Sequence, residues 1–145
     1  MTSTDRLRVA SDVRDRLLDH AREGAARTPP VEVCGVLVGR RGPPDRVTGA
    51  RRVANVADTP RSRYELDPAA TVAAIDAADA AGEEVVGFYH SHPETDAVPS
   101  ATDRARATWT GFVYAIVAPP ATLRAYRLAD DGFEELPVRS LDSRA

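Results

Sequence analysis

The sequence has 145 residues, 43% of them apolar and 28% charged, a composition that suits one globular domain spanning residues 1–145. A net charge of -3 argues against a broad electrostatic grip on nucleic acid, and the single cysteine, Cys34, excludes an internal disulfide and any multi-cysteine zinc site. No apolar segment of the signal-peptide kind follows Met1, and the longest apolar run, over 111–120, is far below the ~18–20 residues of a membrane span, so a cytoplasmic protein without membrane contact is expected.

Residues 11–27 predict an amphipathic helix. Val13, Leu17, Leu18 and Ala21 recur at helical spacing, Ser11 is placed to cap the start, and Pro29 and Pro30 stop the helix. His20 is expected on its solvated side. The apolar run 33–39 predicts a buried strand on which Cys34 is a small core side chain. Gly42, Pro43 and Pro44 make 40–45 a loop, 46–56 a second strand, and the polar stretch 58–63 a surface loop. Asp67-Pro68 opens a second helix, because proline suits the first helical position, and Gly82 ends it. A third strand over 84–90 leads into a loop over 91–99 with Pro93 and Pro99, then a short helix over 100–108. Strands over 111–118 and 122–128, a turn at Asp130-Asp131-Gly132 and a last strand over 133–138 complete the chain. This order describes an α/β or α+β layered domain with a mixed sheet. Tyr89 and Trp109 read as packing residues. Arg104 and Arg106 read as a solvated helix face or a contact for an acidic partner.

Two of the three histidines, His90 and His92, lie two positions apart at the end of the third strand. Residues i and i+2 of a strand point to the same side, so both imidazoles can reach one ion; on a helix the same spacing would splay them by about 200°. A catalytic zinc site takes three protein ligands and keeps one open position, and Asp103, in the first turn of the helix after Ser100, can supply the third ligand. Two histidines and one aspartate leave the ion net positive, which lowers the pKa of a bound water to ~7. Ser100-Ala101-Thr102-Asp103 also reads as a helix capping box, which would account for Ser100 and Asp103 without any chemistry.

With these positions the sequence resembles the JAMM (MPN-plus) metalloproteases. Their signature is an upstream Glu, then His-Ser/Thr-His, usually Pro, seven residues from the second His to a Ser, and two more to an Asp. Here Glu32 is the upstream acid, His90-Ser91-His92-Pro93 the centre, and Pro93 to Pro99 the seven residues before Ser100, with Asp103 after Ala101 and Thr102. Asn55 and the segment 64–68 also fit the family's habit, and the resemblance spans about 7–136. It implies a mixed, curved sheet flanked by helices, of the cytidine-deaminase-like JAMM/MPN architecture. It further implies one zinc ion per chain on His90, His92 and Asp103, Glu32 as general base, and Ser100 as a hydrogen-bond donor to the oxyanion. Nothing local links Glu32 to His90, and without the resemblance Glu32 would not stand out among the acids.

The family removes ubiquitin or ubiquitin-like proteins from lysines. The stretch after Asp103 is too short for the second insertion of the eukaryotic members, so the chain is similar to the compact, free-standing prokaryotic type. Two activities are implied. The first is an isopeptidase of desampylase kind, cutting between the Gly-Gly tail of a ubiquitin-like modifier and a target lysine. The alternative is removal of cysteine or another C-terminal adduct from a β-grasp sulfur-carrier protein. Either tail could enter a groove beside the metal as an added strand. A third reading, a metal-free MPN scaffold, conflicts with the complete signature. A nucleobase deaminase would need further cysteines. Members of this fold often pair, so a homodimer is an expected assembly.

Overall fold

Strand alternation sets the layers of this fold. A computed structural model describes residues 5–142. In its central strand β5 (Val113–Ala118) every residue is buried; Val113, Ala115 and Val117 point into one apolar cluster, Tyr114 and Ile116 away from it. A strand buried on both faces needs a cover on each. Helix α1 (Ser11–Ala25) supplies one with Val13, Leu17, Leu18 and Ala21, which pack with Leu37, Val47 and Tyr89. Helix α2 (Pro68–Ala80) supplies part of the other through Ala78, which packs with Val36, Phe88 and Tyr114.

The other strands are β1 (Leu7–Val9), β2 (Cys34–Arg40), β3 (Asp45–Val53), β4 (Glu84–Ser91), β6 (Thr122–Ala129), β7 (Gly132–Leu136) and β8 (Val138–Ser140), and a short helix, α3 (Ala101–Arg106), precedes β5. The eight strands form one mixed, curved sheet in the order β7-β6-β5-β4-β2-β3-β1-β8. Antiparallel pairing joins β4 to β2 to β3 on one side and β5 to β6 to β7 on the other, and between them β4 and β5 run parallel, with His90 opposite Ile116. Parallel neighbours require a crossover. Here residues 92–112, with α3, make it, which brings the start of α3 back over the carboxyl end of β4. Ligand sites of open α/β sheets gather at such strand ends. Among the described residues no helix is long and apolar enough to cross a membrane.

The layered mixed fold follows the expectation; several local features do not. Ser11 is not the N-cap of α1. Ala10 holds that position without a side-chain cap, because its N–H is tied to Val47 O (3.0 Å) as the chain leaves β1, and Ser11 is already helical. The helix after Ser100 ends at Arg106 rather than 108, where Ala107 turns extended. Strand β3 ends at Val53, and only an isolated bridge from Asn55 to Leu66 continues it. Strands β1 and β8, three residues each and parallel neighbours, were not expected.

His20 departs from its expected solvated position. Its Nδ1 shares a 2.8 Å hydrogen bond with Tyr89 Oη, its ring is half-buried, and burial, with Arg52 nearby, lowers its pKa to about 4 against a slight opposing pull from Glu23. The unfolded chain therefore takes up a proton near pH 6.5 that the folded chain refuses until about pH 4. Stability contributed by neutral His20 is present above that upper value and is lost as pH falls through the window. The melting temperature should drop more between pH 7 and 5 in wild type than in His20→Gln; equal drops would remove His20 as the cause.

Candidate metal centre

Strand period places His90 and His92 on one side of the end of β4, and the structure brings their Nε2 atoms to 3.3 Å from each other. Asp103 Oδ2 lies 3.0 Å from both. Glu32 joins them, and one ligand atom from each of the four buried residues lies within 4.8 Å of the others. No other part of the described chain gathers such a set.

Ser91, between the histidines, points the other way and explains how Glu32 arrives. Its Oγ accepts the Val33 N–H at 2.8 Å, and its own N–H donates to Val33 O at 2.9 Å. The residue after Glu32 is thereby locked to the middle of the His-X-His segment. Strand β2 runs alongside β4 with Cys34 opposite His90, which continues the same alignment. A serine or threonine at this position thus has a physical reason: a buried hydroxyl must find a partner, and here the partner is the backbone that carries the acid.

Each imidazole is oriented. His92 Nδ1 donates to Asp96 O at 2.7 Å, so its Nε2 carries the lone pair in the neutral ring. Tyr64 stacks on His90, ring centroids 4.1 Å apart and planes 17° from parallel. Burial lowers the His90 pKa against the upward pull of Asp103. At His92 burial acts the same way, but the hydrogen bonds to Asp103 and the Asp96 carbonyl prevail and the net shift is upward. For Asp103 the two histidine hydrogen bonds outweigh burial and keep its carboxyl far below the usual range. Burial pushes Glu32 up to about 8; His92 pulls against this, and Asp103 adds to it.

The capping box at Ser100 does not turn the Asp103 carboxylate away from the histidines. Ser100 Oγ accepts the Asp103 N–H at 3.0 Å and Asp103 Oδ2 accepts the Ser100 N–H at 2.9 Å, a complete capping box. The same Oδ2 faces both histidines. The box fixes the carboxylate by its own helix turn, and the Ser100 hydroxyl proton is not used in it.

The donor set fits a divalent metal. Two imidazole nitrogens and a carboxylate oxygen are zinc's usual non-thiolate ligands, and all three residues are buried. Glu32 Oε1 is buried with no hydrogen-bond partner among the described residues, a costly position for a carboxyl oxygen unless the centre itself provides a partner. Beside Asp103 opens a groove of about 330 Å³ with Tyr64, Leu66, Phe88, Trp109 and Tyr114 on its walls. Arg106 and Glu65, 3.0 Å apart, also line it, so Arg106 is in a salt bridge rather than on a bare solvated face.

All five residues singled out in the sequence lie at this centre: four as the cluster and Ser100 as the cap of the helix that carries Asp103. Sequence reasoning missed the lock at Ser91 and the Tyr64 shelf. Ser91 carried a readable signal, a polar residue facing inward at a strand end; Tyr64, in an irregular segment, carried none beyond the family's habit.

Known proteins share this arrangement of chain. Residues 11–129 match the family described as prokaryotic homologs of the JAB domain. The chain is 55% identical over 138 residues to a desampylase of Haloferax volcanii, spanning 95% of this chain and 98% of that protein. It is 34% identical to the CysO-cysteine peptidase of Mycobacterium tuberculosis, spanning 92% of this chain and 90% of that one. A solution structure of a Desulfitobacterium hafniense protein superimposes with a TM-score of 0.83 at 27% identity, covering 94% of each chain. With a family match over most of its length and relatives aligned nearly end to end, the chain belongs to the prokaryotic JAB-domain family, the JAMM-type hydrolases.

Proposed function

We propose that this protein is a zinc-dependent isopeptidase that hydrolyses the bond between the C-terminal Gly-Gly tail of a ubiquitin-like modifier and a target lysine. The observation that carries the reading is the near full-length similarity to a desampylase, in a chain that gathers Glu32, His90, His92 and Asp103 into one buried cluster. His90, His92 and Asp103 would hold the ion. When bound, zinc supplies a Lewis acid for the scissile carbonyl and acidifies the attacking water.

Glu32 Oε1 takes the proton of that water and returns it to the departing lysine amine. Burial raises the Glu32 pKa in the metal-free chain, and a cation held by the neighbouring residues would draw it back down, so that the carboxylate is ionised to accept the proton. The Ser100 hydroxyl proton, free of the capping box, donates to the carbonyl oxygen as charge builds there. Tyr64 and the Asp96 carbonyl hold the two imidazoles in place. The groove of about 330 Å³ beside Asp103, walled largely by aromatic and apolar side chains, would receive an extended, glycine-ended tail. We assign the chain to the cytoplasm and to protein substrates rather than nucleic acid. The mycobacterial relative favours a second reading, removal of cysteine from a sulfur-carrier protein by the same residues.

Two conjugates separate these readings. Purified protein with about one zinc per chain should release a Gly-Gly-tailed modifier from lysine. Cleavage only of a sulfur-carrier bearing a C-terminal cysteine would replace the first reading with the second, and no metal with no cleavage would leave a scaffold. Ser100→Ala should lower kcat by about 10²–10³-fold, the loss known for single oxyanion donors. A lowered melting temperature with unchanged kcat would reduce Ser100 to a helix cap, worth about 1 kcal/mol.

A further inference from the structure

Glu32 lies in the irregular segment between α1 and β2, where its carbonyl has no strand ladder to hold it. Its two backbone groups are held from elsewhere. The Glu32 carbonyl accepts Asn55 Nδ2–H at 3.0 Å, and the Glu32 N–H donates to Pro60 O at 2.7 Å. Asn55 does more than this. Its second Nδ2 hydrogen goes to Arg63 O at 3.1 Å, and its Oδ1 accepts from Ala57 N–H at 3.0 Å and Glu65 N–H at 2.9 Å. Both donors and both lone pairs of one amide are in use. The bonds close the loop 57–65, which contains Pro60 and Tyr64. One side chain therefore grips the acid directly by its carbonyl, and indirectly by its N–H through a loop that the same side chain shuts. That loop also carries the ring stacked on His90.

We propose that Asn55 is a positioning residue of the hydrolytic centre: it sets the direction of the Glu32 carboxylate and seats Tyr64 against His90, without touching substrate or metal. The inference rests on Glu32 acting as the base. A buried carboxylate with an unpartnered oxygen will swing toward solvent unless its backbone is pinned, and a displacement of about 1 Å from the reacting atoms can cost about 10²-fold in rate.

Two variants of the full, zinc-loaded chain test it. Asn55→Asp keeps the shape and both acceptor bonds to Ala57 and Glu65, but turns an oxygen toward the Glu32 and Arg63 carbonyls. Asn55→Ala removes all four bonds. In both, amide hydrogen exchange at Glu32 should rise by about tenfold or more, while amides in β5 keep their protection. On the lysine conjugate kcat should fall about 10–100-fold, with KM within about twofold and zinc still near one per chain. Unchanged exchange at Glu32 in both variants would overturn the proposal. So would a wild-type kcat in loaded Asn55→Asp, or a loss of activity that only tracks the loss of metal or folded protein. Should the wild type cleave neither conjugate, the isopeptidase reading fails by itself, and the exchange measurement still decides whether Asn55 holds Glu32.

Discussion

Glu32→Gln is expected to reduce turnover by about 10²–10⁴-fold while zinc stays near one per chain. Glutamine keeps the shape and can still hydrogen-bond at the centre, but it cannot accept a proton. Because His90, His92 and Asp103 are untouched, metal content separates loss of the base from loss of the site. Stability should move the opposite way. Burial raises the folded-state pKa of Glu32 from 4.5 to about 8. The stability this group lends is therefore complete below 4.5, where it is protonated in both states, and is lost as pH rises toward 8. At pH 7 the wild type bears the cost of a carboxyl that the unfolded chain would ionise freely, and glutamine removes that cost. Metal-free Glu32→Gln should melt above metal-free wild type at pH 7 and equal it near pH 4. Activity within tenfold of wild type would remove Glu32 as the base; a lower melting temperature at pH 7 would contradict the burial argument.

The division between what could be read in the chain and what could not follows the range of the interactions. Helix α1 was legible because Val13, Leu17, Leu18 and Ala21 repeat locally, and β4 because an apolar run ends in His-Ser-His. The metal cluster was half legible by the same logic: His90 and His92 share a face by strand period, and Asp103 is one crossover away. Glu32 was not, since its place depends on the Val33–Ser91 lock and on β2 pairing with β4 across 58 positions. Strands β1 and β8 are three residues each and pair parallel from opposite ends of the chain; nothing within either segment announces a partner 131 positions away. His20 was misjudged for a related reason. It sits at the edge of the apolar stripe of α1, and only Tyr89, contributed by β4, draws the ring inward. Ser100 and Asp103 were ambiguous because one pattern can serve two purposes; the structure forms the capping box and leaves the same Asp103 oxygen facing both histidines.

With the ion held as proposed, Asp103 is the position with the largest joint effect. Its Oδ2 accepts the Ser100 N–H and faces His90 and His92 at 3.0 Å each. Asp103→Ala removes a proposed metal ligand, one arm of the capping box and the carboxylate 3.0 Å from both imidazoles. Zinc content should fall from about one per chain to near none, and activity to the uncatalysed level. The rise in melting temperature that added zinc gives the wild type, a consequence of binding only the folded state, should vanish. Asp103→Asn divides the two roles. Its amide oxygen can still accept the Ser100 N–H, so the metal-free variant should keep the cap, but it loses the carboxylate that the two histidines hold ionised and should melt below metal-free wild type at pH 7. It lacks the negative charge that offsets the ion, so metal affinity should still collapse. Metal-free Asp103→Ala, missing the cap arm, should lose a further ~1 kcal/mol. Full zinc occupancy in both variants would mean the third ligand lies elsewhere, and Glu32, the other carboxylate of the cluster, would be the residue to test in that place.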